Sequence, residues 1–172
     1  MSSPSFRSPP SGLDHAAFVS VYGVVYEHSP WIAQTVWDDG LVADLDTVEA
    51  LHAAMVAAVE AAPRERQLAL LRAHPDLAGR LAIRGELTAH STSEQARAGL
   101  DKCSPEEFAR FTELNGAYRA KFDFPFIMAV KGRQRGEILA AFERRLDNDA
   151  ATEFRTALDE VHKIALLRLR EL

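Results

Sequence analysis

The sequence predicts an all-α, single-domain bundle of roughly seven or eight helices, and three observations predict it. Apolar residues recur at helical spacing along most of the chain, no stretch of note alternates as a half-buried strand would, and the breaks fall at Ser-Pro, Pro and polar turns. With 172 residues and 47% hydrophobic composition, the chain is long enough to bury a substantial core and short enough to be one domain. Its first twelve residues, MSSPSFRSPPSG, are rich in Ser and Pro and read as a disordered tail, leaving a helical domain over 13–172.

Taken in order, a first helix is expected from about Asp14 to Glu27. Ser29-Pro30 offers an N-cap and a proline at the first helical position for a short second helix carrying Trp31 and Trp37. Asp46 and Glu49 are placed to cap a third, which spaces Leu51, Met55, Ala58 and Val59 along one face. Pro63 should start a fourth that carries Leu68 and Leu71 inward and stops at His74. Ser104-Pro105 repeats the cap signal and opens a helix with Phe108, Phe111, Leu114 and Tyr118, ending near Lys121. Two long helices, about Gln134 to Leu146 and Ala151 to Leu169, are separated by the polar turn Asp147-Asn148-Asp149. The segment FPFIMAV, Phe124 to Val130, fits neither helix nor polar loop and is expected to line something buried.

Composition narrows the function. The 20 basic and 25 acidic residues give a net charge of −5, with no basic surplus to neutralise a phosphate backbone, so nucleic acid is not an expected partner. Cys103 is the one cysteine, so no intrachain disulfide forms and a reducing cytoplasm suits the chain. No apolar run has the length of a membrane span or of a secretory signal, and the ending Arg170-Glu171-Leu172 is not a Ser-Lys-Leu address. A cytoplasmic protein without membrane attachment is expected. The histidines lack metal-ligand spacing and no glycine-rich phosphate loop is present, so neither a metal nor a nucleotide cofactor is expected.

Chemistry-bearing residues gather in a few places. Pro75 disfavours α geometry at His74, which puts the imidazole at a helix end, facing a cleft. An imidazole with a reference pKa of about 6.5 can take and give a proton near neutral pH. The plainer reading is a basic side chain that complements the helix dipole. Ser91 to Gln95 (STSEQ) adds a carboxylate and an amide; Ser91 and Glu94 also have the spacing of a capping box, and the amides of a helix start favour an anionic ligand. Arg168 shares a helix face with Val161, Ile164 and Ala165, so its guanidinium either snorkels to water or needs an anion, such as a substrate carboxylate. Cys103 has no evident base beside it and reads as structural.

The combination HPDLAGRLA, GELTAHSTSEQARAGLD, FTELNGAYRAKFDFPFIMAVKGR and ALDEVHKIALLRL resembles the family of 2-oxo-4-hydroxy-4-carboxy-5-ureidoimidazoline (OHCU) decarboxylases. The resemblance runs from about Leu13 onward, in the family's order and spacing. It implies an all-α homodimer, working without cofactor, that converts OHCU to (S)-allantoin and carbon dioxide. His74 matches the proton-transferring histidine, with Pro75 beside the substrate. Ser91, Thr92, Ser93, Glu94 and Gln95 match the substrate-binding SxxEQ segment, Glu94 also orienting the imidazole or the ureido group. Phe126, Ile127, Met128, Ala129 and Val130 match the apolar segment that closes over the ring, and Arg168 matches a late-helix arginine. Met128 and Val130 depart from that segment's pattern and change its volume. Two other readings compete: the same scaffold binding a ureide or purine-derived ligand without decarboxylating it, and an all-α adaptor contacting a partner through FPFIMAV.

Overall fold

Helices account for all the regular structure in the computed structural model, which describes residues 6–40, 42–79 and 86–172. Among them are eight α-helices: α1 (His15–Tyr22), α2 (Trp31–Asp38), α3 (Val48–Ala61), α4 (Arg64–Arg72), α5 (Ala89–Arg97), α6 (Pro105–Phe122), α7 (Arg135–Leu146) and α8 (Ala150–Leu169). Three short 3-10 turns accompany them, and no strand occurs among the described residues. The expectation of an all-α chain with roughly seven or eight helices therefore holds among the described residues. Contacts divide the chain into two compact units, Met1–Ala73 with His162–Leu172, and His74–Val161.

In the first unit α1 packs on α2 and α2 on α3. Leu51, Met55, Ala58 and Val59 face inward as their spacing predicts, whereas α4 buries Leu70 and Leu71 and leaves Leu68 half-buried. The first helix ends five residues early, at Tyr22 with Gly23 as its cap. A Cβ at Gly23 would run into the Val19 carbonyl oxygen, so only glycine fits that turn. Ser29 does not cap α2: its hydroxyl donates to the Glu27 carbonyl, and Pro30 takes the N-cap place. Nor does Asp46 cap α3. Its carboxylate accepts from the Ser11 amide at 2.8 Å and hydroxyl at 2.5 Å, bonds that hold its pKa below the usual range, while Thr47 caps the helix. The expected tail is in part outside the described residues, and of its described part Phe6 and Pro10 are buried. Phe6 meets the Tyr22 ring edge-on at 5.1 Å, and the Ser8 carbonyl accepts from the Tyr22 hydroxyl.

In the second unit α6 packs on α7. Ser104 and Glu107 form the capping box that Ser-Pro announced for α6. Aromatic rings from α6, the segment after it, α7 and α8 make one core: Tyr118 lies within 5.8 Å of the rings of Phe122, Phe124, Phe126 and Phe142, and Phe154 meets Phe124. Phe124 to Val130 is irregular, as expected, and Phe124, Phe126, Ile127 and Val130 are buried within it. The buried members of the segment are spent on this unit's own core, which leaves Met128 and Ala129 half-buried. No helix among the described residues is long and apolar enough to cross a membrane.

Candidate active site

His74 sits at the helix end expected of it, directly after α4 and its C-cap Ala73, with a side chain that is buried instead of facing the cleft described below. The turn that follows is held from two helices. The Gln95 Oε1 on α5 accepts from the Ala78 amide at 3.0 Å, and its Nε2 donates to the Asp76 carbonyl at 3.2 Å. On α6, Asn115 Nδ2 donates to the Leu77 carbonyl at 3.0 Å and Arg119 Nε to the Asp76 carboxylate at 2.9 Å. These bonds keep Ala78 at φ +49°, a left-handed conformation that costs an L-residue energy unless its surroundings impose it.

The Ser91–Gln95 segment lies inside α5 instead of starting it. Thr88 is the N-cap, its hydroxyl accepting from the Ser91 amide at 3.2 Å, so the capping-box reading of Ser91 and Glu94 is overturned by a cap three residues earlier. Within the helix Ser91 and Gln95, four apart, share the buried face; Ser93 and Glu94 are half-buried and Thr92 is exposed. A cleft of about 590 Å³ opens beside this helix, lined among the described residues by Ala78, Thr92, Gln95, Leu100, Cys103 and Phe108, with others. Its size suits a small-molecule ligand. Thr92 and Gln95 thus line it, while His74 and Glu94 are not among its lining residues.

Cys103 is no nucleophile in waiting. Burial, aided by the Glu107 charge, pushes its thiol pKa up, and the thiol donates to the Leu100 carbonyl.

Phe126 is a core residue, stacked on Phe142 with centroids 3.9 Å apart and planes 10° from parallel. The Arg145 guanidinium covers the ring at 4.4 Å and donates to the Ile127 carbonyl at 2.6 Å. Met128 and Ala129 are the half-buried members of the segment, and the Ala129 amide donates to Glu160 at 2.8 Å. Arg145 is itself bound to Glu153, a wholly buried carboxylate that also accepts from the Tyr118 hydroxyl at 2.5 Å and Asn148 Nδ2 at 3.0 Å. Burial first, then the Glu153 bond, drives the Tyr118 pKa far above its ordinary value. Sequence reasoning missed Glu153, yet the spacing Glu153, Ala157, Val161 puts it on an apolar face as surely as Arg168.

Arg168 belongs to the first unit, and water is not its destination. The guanidinium is buried, with Nη1 2.9 Å from Glu27 Oε2 and donating to the Val25 carbonyl at 3.2 Å. The anion it needs includes a carboxylate of its own chain. Nothing local in the sequence singles out Glu27, which the longer first helix had placed at its C-terminal end. A second missed group lies nearby: the Tyr26 hydroxyl meets His162 Nδ1 at 2.9 Å, and His162 Nε2 meets Glu60 at 3.0 Å.

Comparison with known proteins decides the family. The model of the family described as OHCU decarboxylase matches residues 11–170. The chain belongs to the OHCU decarboxylase family. The span takes in every candidate site residue. A 2-oxo-4-hydroxy-4-carboxy-5-ureidoimidazoline decarboxylase of Haloferax volcanii is 50% identical over 159 residues, covering 92% of this chain and 90% of that one. The crystal structure of an OHCU decarboxylase in the presence of (S)-allantoin aligns with a TM-score of 0.65 at 26% identity, covering 82% of this chain and 89% of the other. A crystal structure of (S)-allantoin synthase aligns with a TM-score of 0.75 at 35% identity over 92% of this chain, which spans half the length of that protein.

Proposed function

We propose that this family member decarboxylates OHCU to (S)-allantoin and carbon dioxide, the closing reaction of urate degradation, as a carbon–carbon lyase without cofactor. The observation that carries the proposal is the joining of its two signature segments. Gln95, from the STSEQ segment, grips the backbone of the HPDL turn through both ends of its amide. Family membership and a cleft lined by Thr92 and Gln95 support the same reading.

The substrate brings its own electron sink. When the C–C bond to the carboxylate breaks, the pair forms a ring C=C bond and the electrons of the adjacent C=N move to nitrogen, which takes a proton. The resulting enol loses its hydroxyl proton and gains one on the neighbouring carbon, giving the ring amide carbonyl of allantoin. One proton is consumed for each carbon dioxide released from a carboxylate substrate. His74 polarises or deprotonates the hydroxyl and governs proton delivery to one face, which fixes the hand of the product. Glu94 orients the imidazole or the ureido group. Ser91, Thr92, Ser93 and Gln95 supply polar contacts, and Pro75 with the half-buried Met128 and Ala129 of the apolar segment borders the ring. The working form is a homodimer in the cytoplasm.

Circular dichroism of allantoin formed while urate is oxidised and hydrolysed in situ to OHCU tests this reading. Fast growth of an (S)-allantoin band is expected with the wild type, and a loss of about 100- to 10,000-fold with His74→Asn. A trace matching the protein-free blank would overturn the enzyme assignment, and full activity of His74→Asn would overturn the role of the imidazole.

A further inference from the structure

Three consecutive residues after Pro75 have backbone groups hydrogen-bonded to side chains from other elements. The Asp76 carbonyl and Ala78 amide bond to Gln95, and the Leu77 carbonyl to Asn115. Both Gln95 and Asn115 are buried, where a lost partner leaves a backbone group that water does not readily replace. Gly79 closes the turn so tightly that a Cβ there would stand 2.7 Å from Asp76 Cβ. Pro75 fixes its own φ and restricts His74, so any rotation of the turn is passed to the histidine. A surface ion pair between Arg119 and Asp76 adds a third hold, weaker because both partners are partly solvated.

We infer that Asn115 and Gln95 are positioning residues for His74, fixing the turn that sets the direction of its imidazole. The inference rests on the reading of His74 as the proton-transferring group. Gln95 has a double part, because its amide braces the turn while its side chain also lines the cleft. Asn115 is not among the cleft's lining residues, so its influence on the reaction passes through the turn.

Paired backgrounds test this. Asn115→Leu keeps the side chain's size and removes the donor to Leu77, and Gln95→Met removes both bonds to the turn. Each is made in the wild type and in His74→Asn, and kcat, KM and the pH profile of kcat are measured. With the histidine present, Asn115→Leu should lower kcat about 10- to 100-fold, the cost of a small misplacement of a reacting group. KM should stay within about twofold and the limb of the pH profile assigned to the imidazole should move. With His74 already replaced, the same change should cost nothing further, because a residue acting through another loses its effect with it. Equal losses in both backgrounds would overturn the inference and assign a general structural role, as would an unchanged kcat in the wild-type background. Should Asn115→Leu fail to fold, Asn115→Asp, which keeps the shape and removes the amide donor to Leu77, applies the same criterion on kcat and non-additivity. Full activity of His74→Asn alone would instead mark failure of the underlying reading, so the two failures are separate.

Discussion

Arg168 and Glu27 form an ion pair 2.9 Å long in which both side chains are almost wholly withdrawn from water. Such a pair is costly to break, because the surviving charge keeps its desolvation and loses its partner. Glu27→Gln should therefore destabilise the fold by about 3–5 kcal/mol, while replacing both residues by apolar ones should cost far less. Urea unfolding of the single and double variants checks this, and equal losses from both would contradict it.

Glu153 collects a tyrosine hydroxyl, an arginine and an asparagine amide while fully buried. Tyr118→Phe removes one hydrogen bond to a charged group and should cost about 1.5–3 kcal/mol. Glu153→Leu should cost more, since it leaves the Arg145 guanidinium, whose side chain is 11% exposed, without its carboxylate. Thermal melts would show the order, and a Tyr118→Phe variant as damaging as Glu153→Leu would contradict it.

Glu107 gives the fold a pH signature. Arg135, donating at 2.9 Å, and then the Ser104 amide hold its carboxyl below the usual carboxylate range. A depressed folded-state pKa contributes stability that is present above the unfolded value, about 4.3, and is lost as pH falls through the folded one. The Tm advantage of the wild type over Glu107→Gln should be constant near neutrality and shrink below about pH 4.3. An advantage that grew on acidification would reverse the sign and refute the assignment.

Thr88, not Ser91, caps α5, so Thr88→Ala should cost about 1 kcal/mol of stability. The same helix should melt first in hydrogen exchange of that variant. Protection of the α5 amides equal to the wild type would place the cap elsewhere.

These relationships also mark what could be read from the chain. Local signals read well where their partners are near in sequence: Ser104 and Glu107 complete a capping box within one turn. They misled where a distant group competed. Asp46 is taken by Ser11, 35 residues away, and the Ser29 hydroxyl turns back to Glu27, so neither caps the helix it precedes. The face of Arg168 was legible from the spacing of Val161, Ile164 and Ala165, but its partner Glu27 lies 141 positions earlier and no periodicity reaches that far. His74 was legible because proline acts on its neighbour directly. The hold on its turn was not, since Gln95 and Asn115 reach it from helices that only folding brings near.

Through one carboxylate, Glu153 ties α6 by Tyr118, α7 by Arg145 and the start of α8 by its own backbone, and Arg145 carries the tie on to the Ile127 carbonyl. Elements so tied do not open one at a time, because releasing any of them strands a buried charge shared by the rest. The slowest-exchanging amides of α6 and α7 and those around Glu153 should therefore lose protection together, at a common denaturant dependence.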